Sequence, residues 1–451
     1  MNMKSFFPCT FFSLVSLALT YAADPSPTQL NEYLALPDNS FSWKVVHKEE
    51  TLNHHRFVIE MTSQTWHGIT WKHYMYIAEP SRMVNTGNCI LYITGGSIND
   101  WGNWESKVSQ ENRMITERLA TMSGSAVAML FQVPNQPLFG DHVEDSLIGE
   151  TLLKALETED ATWPLLFPMT KSAIRAMDAI QAMFKQERNK EIRDFVVTGG
   201  SKRGWTTWLT AASQDKRVLA IAPFVINTLN MRKQMSYQKE TWGDYSLQVA
   251  DYTTRNLIQD HSAEMPAYKA LIWKMVDPYS YRSRLTLPKL LVHGTNDEYW
   301  TVDATRLYWD DLEGVKFILN LPNVGHDLSN RGQGANRIDE RIKALQTLAA
   351  FTRYACSGDD WPEMTWKRTE AADAITVTVD TDMPVNGAKL WTVKSDTKDF
   401  RKATWTSQPL TGYGTFTAKI PRPASGHIAY YVELEIRFDI PCSLTTEVWR
   451  D

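Results

Sequence analysis

Asp194-Phe-Val-Val-Thr-Gly-Gly-Ser-Lys-Arg-Gly-Trp205 reads as three elements in a row: a short buried strand over 195–198, a glycine-pinched turn, and a helix over Lys202–Ala212. Ser201 stands at the pinch. A turn this tight pushes its serine into a strained backbone conformation and lifts the hydroxyl above the sheet edge. Glycines are needed beside it because a Cβ would collide with the adjoining strand or helix. The helix start leaves amides without intrahelical acceptors, so the Lys202 amide is a candidate donor to a developing oxyanion. The spelling departs from Gly-x-Ser-x-Gly. Gly199 and Ser201 fit, Arg203 takes the second glycine's place, and Gly204 comes one later. A phosphate loop is excluded, because no Gly-Lys-Ser/Thr follows at the required spacing. A dinucleotide fingerprint is excluded too, because Ser201 stands where its second glycine must be.

On either side of this turn the chain alternates strand and helix. Ala173, Ile174, Met177, Ile180 and Phe184 recur at helical spacing and lead into the strand before Ser201. Earlier, 90–93 is a continuous apolar run, expected of a strand buried on both faces, and a helix over 108–122 and a further strand over 126–133, stopped by Pro134, follow it. Residues 136–163 read as irregular and acidic. After the serine helix, 218–226, 289–293 and 316–321 give further buried strands. A closing helix is expected with Ile338, Ile342, Leu345, Leu348 and Phe351 on one face. Such alternation implies a mostly parallel sheet. Segments 43–46, 56–61 and 71–77 predict an antiparallel opening to it.

The chemistry-bearing residues fall at strand ends. The 90–93 run stops at Thr94-Gly95-Gly96-Ser97, which offers either a second oxyanion amide near Gly96 or a plain strand-to-loop turn. Asp297 follows the 289–293 strand and His326 follows the 316–321 strand. The order Ser201, Asp297, His326 is that of the α/β-hydrolases: nucleophile, acid, histidine. In an open parallel sheet the C-terminal ends of the strands share one rim, so the three can meet. His326 would take and return the Ser201 proton, and Asp297 would orient the imidazole. Glu298 and Asp303 are competing acids. The expectation is an α/β-hydrolase fold over 23–357 with a mostly parallel central sheet and a helical cap inserted at about 227–280. A small β-sandwich should follow at 365–451. Within the insertion, Tyr237, Trp242, Tyr245, Tyr252, Tyr268 and Trp273 are either core rings or the lining of a lid.

The 451-residue chain is 43% hydrophobic and 22% charged with a net charge of −5, which argues against a nucleic-acid partner. Residues 1–22 carry the marks of a signal peptide: Lys4, an apolar stretch over 6–19, and Thr20-Tyr21-Ala22 for cleavage. Secreted or periplasmic location, with no transmembrane anchor in the mature protein, is the expectation. Cys89 is expected as a buried free thiol, and Cys356 and Cys442 flank the C-terminal region and either pair across it or do not. Neither Cys-x-x-Cys nor His-Glu-x-x-His occurs, so no metal and no cofactor is expected. In the C-terminal region Ile375, Val377 and Val379, and again Ile428, Tyr430, Val432, Leu434 and Ile436, alternate as strands do. That region either binds a partner or covers one edge of the main sheet.

Four blocks carry a family resemblance: Thr62-Ser-Gln-Thr-Trp with Trp71-Lys-His, Gln132-Val-Pro-Asn-Gln-Pro137, Val197-Thr-Gly-Gly-Ser-Lys-Arg-Gly-Trp-Thr-Thr-Trp208, and His293-Gly-Thr-Asn-Asp-Glu-Tyr-Trp300. With them the chain resembles the PhoPQ-activated pathogenicity-related proteins, a family that includes secreted autocrine proliferation repressors. The resemblance implies an α/β-hydrolase fold and export. The serine turn is also similar to the Gly-Cys-Ser-Arg-x-Gly elbow of glucuronoyl esterases, where the cation after the serine assists at the oxyanion. Lys202 stands in that place here, as an assisting cation or as a solvated helix-start residue. Two functions stay open. One is an exported serine hydrolase acting on an ester or peptide through a covalent acyl-enzyme. The other is a secreted signalling or binding protein with little turnover.

Overall fold

A computed structural model describes residues 26–99, 101–258, 264–330 and 338–451. The expected leader at 1–22 falls outside them. Nine strands begin the central sheet: β1 (Ser42–Glu50), β2 (His54–Trp66), β3 (Ile69–Pro80), β4 (Asn88–Ile93), β5 (Ala126–Leu130), β6 (Asp194–Gly200), β7 (Val218–Phe224), β8 (Lys289–Gly294) and β9 (Lys316–Leu321). Their spatial order is β1-β2-β3-β5-β4-β6-β7-β8-β9. The pairs β1·β2, β2·β3 and β3·β5 are antiparallel. From β5 to β9 every neighbouring pair is parallel.

Parallel neighbours need long crossovers, and helices supply most of them. The helices are α1 (Gln29–Leu34), α2 (Trp104–Lys107), α3 (Gln110–Ser123), α4 (Glu144–Thr158), α5 (Leu166–Arg188), α6 (Lys202–Ala212), α7 (Met231–Trp242), α8 (Ala250–Thr253), α9 (Ala267–Val276) and α10 (Arg341–Ser357). Side chains along each strand alternate between two cores. Cys89, Leu91 and Ile93 of β4 and Phe195 and Val197 of β6 join the core of α5 and α6. Ile90 and Val196 join the core of α3 and α10. Burial on both faces explains why these runs lack polar residues. Each such aliphatic side chain contributes roughly 1.5–3 kcal/mol by leaving water.

Two readings are corrected. Residues 144–158 form α4 rather than irregular chain. Leu147, Ile148, Leu152 and Ala155 are buried along one side of it, a stripe at helical period hidden in sequence by the surrounding acids. The closing helix begins only at Arg341, so Ile338 belongs to β11 (Ile338–Asp339), which pairs with β10 (Ser329–Asn330). Leu345, Leu348 and Phe351 are buried, while Ile342 is exposed.

The C-terminal region holds β12 (Met364–Glu370), β13 (Ala374–Thr381), β14 (Val385–Ser395), β15 (Thr406–Leu410), β16 (Gly412–Tyr413), β17 (Thr415–Pro421), β18 (His427–Ile436), β19 (Cys442–Thr445) and β20 (Trp449–Arg450). Strands β12-β13-β17-β16 form a separate four-stranded sheet. Strands β19, β18, β14 and β15 instead extend the central sheet, because β19 pairs with β9 at Thr445 and Ile318. Ile375, Val377 and Val379 of the small sheet share an apolar core with Val432 and Leu434 of β18. Cys89, Cys356 and Cys442 are free thiols. Among the described residues, no helix is long and apolar enough to cross a membrane.

Candidate active site

Strand β6 delivers Ser201 to the rim. Its backbone angles, φ 57° and ψ −127°, lie in a region that costs a non-glycine residue about 1–3 kcal/mol. The surrounding packing holds it there: the Ser201 amide donates to the Phe224 carbonyl at the end of β7, at 2.9 Å. The unusual spelling of the turn has a steric explanation. A Cβ on Gly204 would lie 2.6 Å from Ile226 Cγ2 and 3.0 Å from the Gly199 and Phe224 carbonyl oxygens. Gly204 is therefore the residue that lets α6 seat against β6 and β7. Arg203, where the usual motif has glycine, turns its side chain across the neighbouring loop. Its Nε donates to the Val133 carbonyl, and its two terminal nitrogens hold Glu144 at 2.6 and 2.7 Å. The guanidinium covers Gly95 so closely that a Cβ there would sit 2.4 Å from it.

Strands β8 and β9 end beside each other, with β7 on the other side of β8. A Cβ on Gly294, at the end of β8, would come within 2.6 Å of the Val324 and Gly325 carbonyl oxygens. The loops carrying Asp297 and His326 can thus lie almost in contact. His326 Nε2 is 2.8 Å from Ser201 Oγ, and His326 Nδ1 is 2.8 Å from Asp297 Oδ2. The other Asp297 oxygen accepts the Tyr299 amide at 2.8 Å. Of the competing acids, Glu298 accepts the His326 backbone amide at 3.1 Å and so fixes the loop rather than the ring. Asp303 bonds the Tyr237 hydroxyl and faces Arg450, outside this chain of contacts. Burial disfavours a charged His326 ring, but the adjacent Asp297 carboxylate outweighs it and lifts the pKa above its ordinary 6.5. His293, just inside the rim, has no such partner strong enough. Burial lowers it to about 4 and keeps it neutral.

Lys202 is buried rather than solvated. Its Nζ lies 3.1 Å from both Glu144 and Asp145 at the start of α4. Burial disfavours the Glu144 charge, yet Arg203 with Lys202 holds this carboxyl down to about 2. Asp145 also accepts the Tyr252 hydroxyl at 2.9 Å. Gly96 lies past the end of β4, the strand beside β6, with φ 135° and the Gln132 side chain against it.

Above Ser201 and His326 is a narrow pocket with an open volume of ≈ 30 Å³. Trp205, Ile226, Met231, Val249 and Trp273 give it apolar walls, and Asp145 and Tyr252 a polar corner. Tyr252 and Trp273 come from the 227–280 insertion, whose described residues include helices α7, α8 and α9 and short 3-10 turns. Sequence reading missed Glu144 and Asp145. The adjacent acids opening an amphipathic run were the available signal, since carboxylates favour a helix's first turn.

The strand order and the strained serine between β6 and α6, with the His326 imidazole against it and the Asp297 carboxylate against the imidazole, are those of an α/β-hydrolase-fold protein. Residues 30–401 match the model of the PhoPQ-activated pathogenicity-related protein family, and the chain belongs to that family. It is 29% identical over 457 residues to autocrine proliferation repressor protein A of Dictyostelium discoideum, covering 94% of this chain and 88% of that one. Solved structures similar to it include an acetyl xylan esterase from Paenibacillus sp. R4, at 14% identity and a TM-score of 0.49, covering 72% of this chain and 95% of that one. A glucuronoyl esterase from Solibacter usitatus is similar at 13% identity and a TM-score of 0.46, covering 73% and 92%.

Proposed function

We propose that the protein is an exported serine hydrolase, esterase-like, that transfers an acyl group to water through Ser201. The observation that carries this reading is the unbroken contact chain Asp297–His326–Ser201, with 2.8 Å at both links. Ser201 donates its proton to His326 Nε2 as its oxygen attacks the carbonyl carbon. Asp297 accepts from the opposite ring nitrogen, fixing the tautomer and stabilising the imidazolium. The tetrahedral oxyanion is received by the Lys202 amide, the first of α6, and by an amide near Gly96. The imidazolium then returns its proton to the leaving group, and water repeats the cycle on the acyl-enzyme.

The test is a fluorophosphonate probe with a panel of ester and peptide substrates. Labelling and ester turnover are expected in the native chain. Both should vanish in Ser201→Ala, with turnover falling by about 10⁶-fold, as when a serine nucleophile is removed. The similarity to a protein named as a proliferation repressor, over 94% of this chain, favours a second reading: a secreted signalling protein with little turnover. A folded native chain that neither labels nor hydrolyses any substrate supports that reading instead.

A further inference from the structure

Two side chains that line the pocket above Ser201 each carry a buried polar atom without a hydrogen-bond partner among the described residues. The atoms are Thr228 Oγ1 and Trp300 Nε1. Both residues line the pocket together with Ser201 and His326. Thr228 is 1% and Trp300 5% exposed, so neither is a surface group turned to bulk water. The rest of the pocket's polar set is engaged: Asp145 holds Lys202 and Tyr252, and His326 lies between Ser201 and Asp297. A buried donor left unpaired costs about 1–3 kcal/mol. Two of them on side chains lining one small cavity beside a nucleophile are a pattern that a ligand would complete. The chemistry restricts that ligand. An indole N–H only donates, and a threonine hydroxyl can donate. A group that satisfies both must therefore present an acceptor, such as an oxygen.

We infer that Thr228 and Trp300 are specificity-determining residues. The preferred substrate is then an ester whose pocket-bound portion carries an ether, hydroxyl or carbonyl oxygen in addition to the scissile group. This rests on the hydrolase reading above and deepens it. A plain hydrocarbon portion of the same shape leaves both donors buried and unpaired, and sites built around hydrogen bonds reject such analogues strongly. The apolar walls from Trp205, Ile226 and Trp273 hold the remaining carbons and contribute little discrimination between the two.

Matched esters that differ by one oxygen in place of a methylene test the inference. On the acyl side the pair is 4-nitrophenyl methoxyacetate and 4-nitrophenyl butyrate. On the alcohol side it is 2-methoxyethyl acetate and butyl acetate. Each kcat/KM is divided by the same ester's alkaline hydrolysis rate, which removes intrinsic reactivity. The native protein should favour the oxygen-bearing member of at least one pair by about tenfold or more, the worth of one to two hydrogen bonds. In Thr228→Val and in Trp300→Phe that ratio should fall toward one. Should Trp300→Phe not fold, the native ratio and Thr228→Val decide the matter. Turnover with ratios within about twofold in both pairs overturns the inference alone. So does fluorophosphonate labelling without turnover of any of the four esters. Absence of both labelling and turnover overturns the hydrolase reading, and this inference with it.

Discussion

His326 sits between Ser201 and Asp297, and in the mechanism proposed above its protonation state governs what the site can do. Only the neutral ring can accept the Ser201 proton. Because Asp297 lifts the ring's pKa above 6.5 against the effect of burial, activity should be low in acid and rise with pH through a midpoint above 6.5. The sign is that of a base that must be unprotonated to work. Asp297→Asn removes the charge that raises the midpoint and leaves the ring in the wrong tautomer. A kcat lower by about 10⁴-fold is expected, as for the equivalent change in a Ser-His-Asp triad. Any residual acid limb should move to lower pH. Profiles of kcat/KM between pH 5 and 9 for both proteins check this. An unmoved limb would show that another group titrates. The neighbouring His293 does not confuse the profile, because it is already neutral above about pH 4.

The elbow itself is set by which glycines have room for a side chain. A Cβ on Gly204 would press on two backbone oxygens at 3.0 Å as well as on Ile226, whereas a Cβ on Gly200 meets only Val225 Cγ2 at 3.9 Å. Gly204→Ala should therefore destabilise by about 1–3 kcal/mol, the usual cost of overpacking, and should lower turnover further by shifting Ser201. Gly200→Ala should stay within about 0.5 kcal/mol of the native protein in urea unfolding. Equal losses at the two positions would refute the packing argument. The same elbow shows what sequence can disclose. A strand buried on both faces announces itself through unbroken apolar runs such as 90–93, and the rim positions of Asp297 and His326 follow from the strands they terminate. Helix α4 was lost because Glu144, Asp145, Glu150 and Glu157 interrupt its stripe. With it went the partners of Lys202, which lie 57 and 58 positions upstream. Pairing over such distances leaves no local pattern. The steric role of Gly204 was likewise hidden, since the collision involves Ile226, on the chain beyond β7.

At the scale of the molecule, the C-terminal strands bear directly on the site. Strand β9 ends in the His326 loop, and β19 lies along its outer edge. Asn320 of β9 donates to Thr445 Oγ1 at 2.9 Å and to the Thr446 carbonyl at 3.0 Å. Asn296, next to Asp297, donates to the carbonyls of Arg401 and Ala403 at 3.1 and 2.8 Å. Asn323, three residues before His326, exchanges two hydrogen bonds with the Trp405 backbone, at 2.7 and 3.1 Å. The loops bearing the acid and the histidine are thus each tied to residues 401–405. Without that region β9 would become an open edge with unpaired amides and carbonyls, prone to pair with other chains. The apolar faces of α10 and β9 that β18 and β19 help to cover would meet water. A chain ending at Ser357 should consequently be poorly soluble or lose cooperative unfolding, and should label with fluorophosphonate at a small fraction of the full chain's rate. Asn296→Ala separates support of the loop from support of the fold. It should lower kcat several-fold while costing only about 1 kcal/mol, the net worth of a typical hydrogen bond. A truncated chain that unfolds cooperatively and labels like the full one would make the 365–451 region an independent domain, and the sheet continuity across β9 and β19 incidental to the site.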